Sequence, residues 1–279
     1  MSKSKRLVRI QAGRLGRIIV YKQALASDEP AARAAKARIS TPARMKINAR
    51  TSREKCEELM AANFDRTDLF ITLTYREAPA TREEANRRLA AFFRALRAAR
   101  SARGQRLFYI KNTEHLRSDG SEGRWHHHVI VNAVGGDYEE IRSIWSSWGD
   151  NVDFEGLLEA GEDYASRAAY LCKERPPVGK QTWTPSRGLR RPVRTSELVD
   201  DSLTITPDSL PRGAQILEHS EDQNEWGSFV YYKYLLPYRQ KKPDPRRIRG
   251  DGGPGGASFS DSGSCISSGR SPEKRPRRP

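Results

Sequence analysis

Three consecutive histidines, His126 to His128, stand at the head of the β-branched run Val129-Ile130-Val131. A β-branched run of this kind is typical of a strand, and alternate residues of a strand share one face of the sheet. We therefore expect His126 and His128 to present two imidazoles on one side, about 7 Å apart along the backbone. His127 then points to the other side and has a structural role. Two imidazoles at this spacing can hold one metal ion, and a histidine-rich, solvated strand start is the alternative interpretation.

The chain has 279 residues, enough to bury a sizeable core as one domain or as one domain with an extension. No run approaches the ~18 apolar residues of a membrane helix, and the basic N-terminus has no apolar segment of the signal-peptide type. We therefore expect a soluble, intracellular protein without a membrane partner. Cys56, Cys172 and Cys265 lie far apart in the sequence, which predicts neither a zinc ribbon nor a disulfide framework.

The positive charge is concentrated at the two ends of the chain. The formal net charge is +15, of which residues 1–66 carry +10 and residues 240–279 carry +6, so that residues 67–239 are left with −1. Cationic flanks on a globular centre favour a polyanionic partner, and nucleic acid is the default candidate.

The hydrophobic pattern predicts alternating strands and helices between residues 52 and 235. Alternation and β-branched runs indicate strands, whereas apolar residues at three- and four-residue steps indicate helices. The predicted strands are 69–75, 107–111, 126–134 and 151–157, with a later hairpin formed by 214–218 and 228–235. The predicted helices are 52–64, 82–103, 138–148 and 162–174.

This order predicts an α+β fold, in which helices pack on one face of an antiparallel sheet of about five strands, of the split βαβ type. The turn-forming residues 119–123 join the second and third strands as a hairpin. Residues 1–50 show weak periodicity, and we assign them no core and treat them as a basic extension. The folded domain then spans 51–240, and the Gly-, Ser-, Pro- and Arg-rich segment 241–279 is expected to be a disordered basic tail.

Tyr170 and Lys173 are three residues apart on the last predicted helix and therefore share a face. A tyrosine beside a solvated lysine is common and carries no function by itself. The pair is more informative in context. It follows, in order, the strand Ile71-Thr72-Leu73-Thr74 and the strand that carries His126 and His128.

These three elements, in this order, resemble the HUH endonuclease family, and specifically the single-tyrosine rolling-circle replication initiators of bacterial plasmids, phages and integrative elements. The resemblance covers roughly residues 50–240. It includes the approach to the first strand from Asn63-Phe64 to Asp68-Leu69-Phe70, and the later stretch 183–189.

The resemblance implies that His126 and His128 bind one divalent cation, Mg²⁺ or Mn²⁺, together with a third ligand from the neighbouring strand. Glu114 is the best candidate for this ligand, and His115 is its competitor. Tyr170 is then the nucleophile that forms a 5′-phosphotyrosine link. Since a free tyrosine has a pKa near 10, its ionisation at pH 7 costs about 4 kcal/mol.

Lys173 is placed to lower this cost or to hold a DNA phosphate, and the sequence does not separate the two roles. Tyr164 is a possible second nucleophile, although packing is the favoured interpretation. The implied partners are single-stranded or supercoiled origin DNA and, since no P-loop is present around Gly179-Lys180-Gln181, a host helicase and polymerase in the bacterial cytoplasm.

Two other functions fit the same residues. A relaxase or a single-tyrosine transposase uses the same chemistry on a different mobile element. A non-catalytic RRM-like protein would instead stack bases on Phe70, Phe108 and Tyr109, and its histidines would be incidental.

Overall fold

The computed structural model describes residues 4–22, 42–116, 121–158, 164–173, 181–224 and 227–238, all of which lie in one unit, Met1–Arg249. The predicted tail, 241–279, lies outside the described residues. The strands are β1 (Lys5–Ala12), β2 (Leu15–Lys22), β3 (Leu69–Thr74), β4 (Tyr109–Leu116), β5 (Glu122–Val131), β6 (Asn151–Gly156), β7 (Thr184–Pro185), β8 (Val193–Val199), β9 (Gln215–Asn224) and β10 (Gly227–Leu235). The helices are α1 (Pro42–Asn63), α2 (Arg82–Ala102), α3 (Asp137–Trp145) and α4 (Ala165–Leu171), with a short 3-10 helix at Pro207–Ser209. The predicted α+β class is confirmed, but the described strands form two five-stranded antiparallel sheets rather than one.

The first sheet, which we call the histidine sheet, has the strand order β6-β3-β5-β4-β7. Strand β5 lies between β3 and β4 and pairs with both in antiparallel register, as the predicted hairpin requires. Strands β4 and β5 run further than expected, to Leu116 and from Glu122, so that Glu114 lies inside a strand instead of at its end.

One face of the histidine sheet is covered by α2 and α3. Helix α2 begins after Thr81, whose side-chain oxygen accepts a hydrogen bond from the backbone of Glu84 at 3.2 Å. Its apolar stripe packs with α3 on the side of the sheet that carries Ile71, Leu73 and Val129. The stripe consists of Leu89, Phe92, Phe93 and Leu96.

Helices α1 and α4 cover the opposite face, so the expectation that all helices lie on one face is wrong. Cys56 and Met60 of α1 and Leu171 of α4 belong to the same buried cluster as Phe70 and Ile130 of the sheet. Helix α1 also begins ten residues earlier than predicted, at Pro42. Its first two turns are exposed and have no apolar stripe that would reveal a helix in the sequence.

The second sheet, which we call the N-terminal sheet, has the strand order β8-β1-β2-β10-β9. The hairpin predicted for 214–218 and 228–235 is confirmed, and its strands β9 and β10 are longer than predicted. The expectation of no core in residues 1–50 is wrong for residues 5–22, because β1 and β2 lie inside this sheet and bury Leu7, Val8 and Ile18. Strands buried on both faces lose the alternation by which a half-buried strand is recognised.

A buried ion-pair network joins the N-terminal sheet to α1. Glu57 of α1 accepts one hydrogen bond from Arg17 of β2 and pairs with Lys233 of β10, each at 2.5 Å. Arg17 also pairs with Glu58 at 2.6 Å. Because such charges are costly to bury without partners, the network fixes how α1 sits on the strands.

Within the described residues, no helix is both long enough and apolar enough to pass through a membrane.

Candidate metal site and its neighbouring tyrosine

The strand register brings the two expected histidines together with Glu114. His126 of β5 lies directly opposite Glu114 of β4, and His128 lies opposite Asn112. Alternation along both strands turns His126, His128, Asn112 and Glu114 towards α1 and α4. The imidazole ring centroids of His126 and His128 are 4.8 Å apart.

Three side chains converge on one oxygen of Glu114, whose carboxylate is fully buried. Its Oε2 lies 3.7 Å from Nε2 of His128 and 3.9 Å from Nε2 of His126. One ligand atom from each of the three residues lies within 4.8 Å of the others, a grouping that could hold a metal ion. Lys173 is the third side chain at this oxygen, with its Nζ at 3.0 Å.

Both histidines use Nδ1 for a hydrogen bond, so that Nε2 of each ring is the nitrogen available to a metal ion. Nδ1 of His126 lies 2.9 Å from the backbone carbonyl of Arg124. Because a carbonyl only accepts, Nδ1 carries the proton, and the Nε2 that faces Glu114 keeps its lone pair. Nδ1 of His128 lies 3.1 Å from the Thr72 hydroxyl, on the neighbouring strand β3. Partners of this kind orient ligand histidines in metalloproteins.

His128 has a buried nitrogen that the described protein does not satisfy. The residue is 2% exposed, and burial lowers the pKa of His128 to about 3, so the ring is neutral at pH 7. Its Nε2 has no hydrogen-bond partner among the described residues. A buried, neutral imidazole with an unsatisfied lone pair facing a carboxylate fits a divalent cation.

Asn112 joins the candidate metal site to α4, and the sequence analysis did not identify it. Its side-chain amide donates to Oε1 of Glu114 at 2.5 Å and to the backbone carbonyl of Leu171 at 2.8 Å. One buried amide therefore holds both the carboxylate and the end of the helix that carries Tyr170. No sequence pattern marks a contact of this kind, because it joins two elements distant in the chain.

Tyr170 lies beside the histidines. Its ring packs edge-on against that of His128, with 4.7 Å between centroids, and lies 5.9 Å from that of Phe70. Phe70 in turn stacks on His128 at 5.6 Å, so that the phenylalanine supports both rings. The tyrosine itself is 44% exposed, and solvent can therefore reach it.

Lys173 lies two residues past the end of α4, although the predicted helix includes it. Glu174, the predicted end of that helix, lies outside the described residues. The Nζ of Lys173 is nevertheless 4.2 Å from the centroid of the Tyr170 ring. Burial lowers the pKa of Lys173, but the hydrogen bond and charge of Glu114, with Tyr170, outweigh it and raise the pKa above its usual value. Lys173 is therefore a fixed cation at neutral pH.

The other predicted residues lie away from this group. His127 points to the opposite face, where its ring nitrogens contact the hydroxyls of Tyr75 at 2.6 Å and Thr113 at 2.9 Å. His115 stacks on Trp125 with 4.5 Å between centroids, and Glu114 takes the place beside the histidines. Tyr164 is buried and donates to the backbone carbonyl of Phe64 at 2.8 Å, as expected of a packing residue.

The aromatics that an RRM-like protein would use are not available for stacking on bases. Phe70 is 1% and Phe108 is 6% exposed. Tyr109 stacks on Phe93 of α2, with 3.8 Å between ring centroids. Helices cover both faces of the histidine sheet, α1 and α4 on the side of Phe70 and Phe108, and α2 and α3 on the side of Tyr109.

Two cysteines that are distant in sequence meet beside the site. The thiols of Cys56 on α1 and Cys172 at the end of α4 are both free and lie within hydrogen-bonding distance of each other. This contact, followed by burial, raises the pKa of Cys56. The two thiols lie where the end of α4 meets α1, and Cys172 lies between Tyr170 and Lys173 in the sequence.

Comparison with known proteins finds a similarity in the central part of the chain. Residues 68–175 match the model of a family described as Replication-associated protein, of the ORF2 type. No curated protein and no solved structure matches the chain. The matched span begins just before β3 and ends two residues after Lys173, and it contains Glu114, His126, His128 and Tyr170. The segment that carries the candidate site is therefore similar to replication-associated proteins.

Proposed function

We propose that this protein is a replication initiator that nicks one DNA strand at an origin and later rejoins it. The observation that carries the proposal is the contact of Tyr170 with His128, within a cluster of two histidines and a glutamate that could hold a metal ion. The similarity of residues 68–175 to replication-associated proteins supports the same assignment.

His126, His128 and Glu114 would hold the divalent cation, Mg²⁺ or Mn²⁺. The donor set fits, because two imidazole nitrogens and a carboxylate oxygen lie within 4.8 Å of one another and leave other positions on the ion open. When bound, the cation would polarise the scissile phosphate and stabilise charge on the leaving oxygen.

Tyr170 would supply the nucleophile. Its phenolic oxygen would form a bond to phosphorus while the bond from phosphorus to the 3′-oxygen breaks, which yields a 5′-phosphotyrosine and a free 3′-hydroxyl. The phenolic proton would pass to solvent, which reaches the exposed tyrosine, and the leaving oxygen would take a proton from solvent. Rejoining would be the reverse attack by a 3′-hydroxyl on the phosphotyrosine.

Lys173 would act as a fixed cation and not as the base. Its raised pKa keeps the ammonium charged, and its Nζ at 4.2 Å from the centroid of the Tyr170 ring would stabilise the negative charge that the attacking group and the phosphate share during the reaction. The same ammonium could also contact the phosphate that Tyr170 attacks.

The substrate would be single-stranded or supercoiled origin DNA. A relaxase or single-tyrosine transposase would need the same residues, and the family match favours replication over these functions. The freed 3′-hydroxyl would prime a host polymerase, and a host helicase would unwind the strand, in the cytoplasm of a bacterium. The basic segments 1–50 and 241–279 would add affinity for DNA through phosphate contacts.

The test is incubation of the full-length protein with supercoiled plasmid that carries candidate origin sequence, in Mn²⁺. We expect nicked circles with protein covalently attached, and loss of both with Tyr170→Phe or with EDTA. Tyr164→Phe is the matched control and should nick normally. Nicking by Tyr170→Phe in Mn²⁺ would refute the assignment of the nucleophile, and nicking in excess EDTA would refute the metal site.

A further inference from the structure

Two cavities lie next to the candidate site and share the residue Thr182. The first, of about 420 Å³, is lined by Arg82, Asn86, Lys111, Asn112, Thr113, Gln181, Thr182 and Thr184. We call it the Lys111 cavity. The second, of about 380 Å³, is lined by Ala49, Ser52, Arg53, Ala169, Cys172, Lys173 and Thr182. We call it the Arg53 cavity.

Both cavities are cationic. Arg82 and Lys111 line the first, Arg53 and Lys173 line the second, and no carboxylate occurs among the described residues that line either. The remaining polar lining consists of amides and hydroxyls, which can donate hydrogen bonds. Arg82, Lys111 and Lys173 come from residues 67–239, which carry a net charge of only −1, and Arg53 adds a fourth cation. Four cations along two adjoining cavities are a local concentration that suits an anion with several charges.

The pKa of Lys111 reflects its position in the Lys111 cavity. Its Nζ is 3.4 Å from the side-chain oxygen of Asn86. Burial, followed by the charge of Arg82, lowers the pKa of Lys111 below its usual value. An anion in the Lys111 cavity would offset both effects, so the cavity is electrostatically suited to bind a phosphate.

Among the described strands, only the short strand β7 borders the outer edge of β4. Strand β7 pairs only with Ile110 and Lys111 of β4, and Pro185 within it has no backbone donor to extend the ladder. Beyond Lys111, no described strand covers the outer edge of β4. Thr182, two residues before β7, lines both cavities.

Each cavity has one lining residue that contacts the proposed reaction centre. Lys173 lines the Arg53 cavity and lies 4.2 Å from the Tyr170 ring. Asn112 lines the Lys111 cavity and donates to Glu114. A strand attacked at Tyr170 would therefore have its next phosphates beside these cations.

We infer that the two cavities form one track for the phosphodiester backbone of single-stranded DNA on one side of the nicked bond, passing over Thr182. The inference rests on the proposed function for the identity of the strand. Arg53, Arg82 and Lys111 contact phosphates of this strand and position it, whereas Tyr170 performs the attack.

The test measures binding without chemistry. Full-length protein with Tyr170→Phe is titrated in EDTA against a fluorescein-labelled 20-mer of deoxythymidine at several salt concentrations. Each lost phosphate contact reduces the slope of log affinity against log salt by about 0.7 for single strands. Arg53→Gln with Lys111→Gln should therefore reduce the slope by about 1.4. Arg94→Gln with Arg97→Gln removes the same charge from exposed positions of α2 and should leave the slope unchanged.

Equal slopes for the cavity pair and the α2 pair would overturn the track. If Lys111→Gln does not fold, Arg53→Gln with Arg82→Gln carries the same test. Nicking by the native protein is scored separately. If the native protein nicks DNA but the cavity variants keep the native salt slope, the track is refuted and the proposed function stands. If the cavity variants show a reduced salt slope but the native protein does not nick DNA, the track stands and the proposed function is refuted.

Discussion

The ring of Tyr170 packs edge-on against the imidazole of His128, with 4.7 Å between the ring centroids. The two residues come from different elements, α4 and β5, and Asn112 bonds both to the last turn of α4 and to the glutamate beside the histidine. The described protein thus holds a solvent-accessible phenol next to a group that could bind a metal ion.

Glu114→Gln should abolish metal binding. The substitution removes the charge on the oxygen that faces both histidines. With Mn²⁺ at 100 times its dissociation constant, the native protein should gain about 2.7 kcal/mol in free energy of unfolding, measured by urea denaturation, and the variant should gain nothing. His115→Gln is the control and should keep the full gain. An equal gain for Glu114→Gln would show that the ion binds elsewhere.

Lys173→Gln should separate metal binding from nicking. The Lys173 ammonium is 3.0 Å from Oε2 of Glu114, so it repels a cation bound at the same oxygen. Its removal should tighten Mn²⁺ binding roughly three- to tenfold in calorimetric titration. Nicking should nevertheless slow by roughly 10²-fold, because a phenolate at Tyr170 loses its neighbouring cation.

Lys173→Arg keeps the positive charge and should show little change in Mn²⁺ affinity. Weaker Mn²⁺ binding by Lys173→Gln would contradict this account, since it would mean that the lysine supports the metal site instead of competing with the ion.

Glu57→Gln should strongly destabilise the protein. Arg17 and Lys233 both pair with this buried carboxylate, and the loss of one partner from a buried pair costs about 3–5 kcal/mol. Glu54→Gln on the same helix breaks the more exposed pair with Arg50 and should cost about 0.5 kcal/mol or less. Urea denaturation measures both, and similar losses for the two variants would contradict the role given to the network.

The sequence predicts the histidine sheet well and the N-terminal sheet poorly. Helix α2 buries one face, so its three- and four-residue steps are visible. Strand β3 buries residues on both faces, but its run Leu69-Phe70-Ile71 and the alternation of Thr72 and Thr74 with Leu73 still mark it as a strand. Strands β1 and β2 bury residues on both faces, such as Leu7 and Val8, and the resulting pattern has no clear period. The exposed start of α1 likewise carries no apolar stripe.

The grouping of His126, His128 and Glu114 could be predicted because alternation and hairpin pairing determine it locally. The bond from Asn112 to Leu171 and the meeting of Cys56 with Cys172 depend on how α1 and α4 pack on the sheet. Those contacts join residues far apart in the chain, and no local pattern encodes them.

The most direct test is to identify the amino acid that becomes linked to DNA. The native protein is reacted in Mn²⁺ with supercoiled plasmid that carries candidate origin sequence, the DNA is digested with nuclease, and the peptides are sequenced by mass spectrometry. The account predicts a nucleotide 5′-phosphate on Tyr170. A link to Tyr164 or to any other residue, or nicked DNA without a protein link, would contradict it.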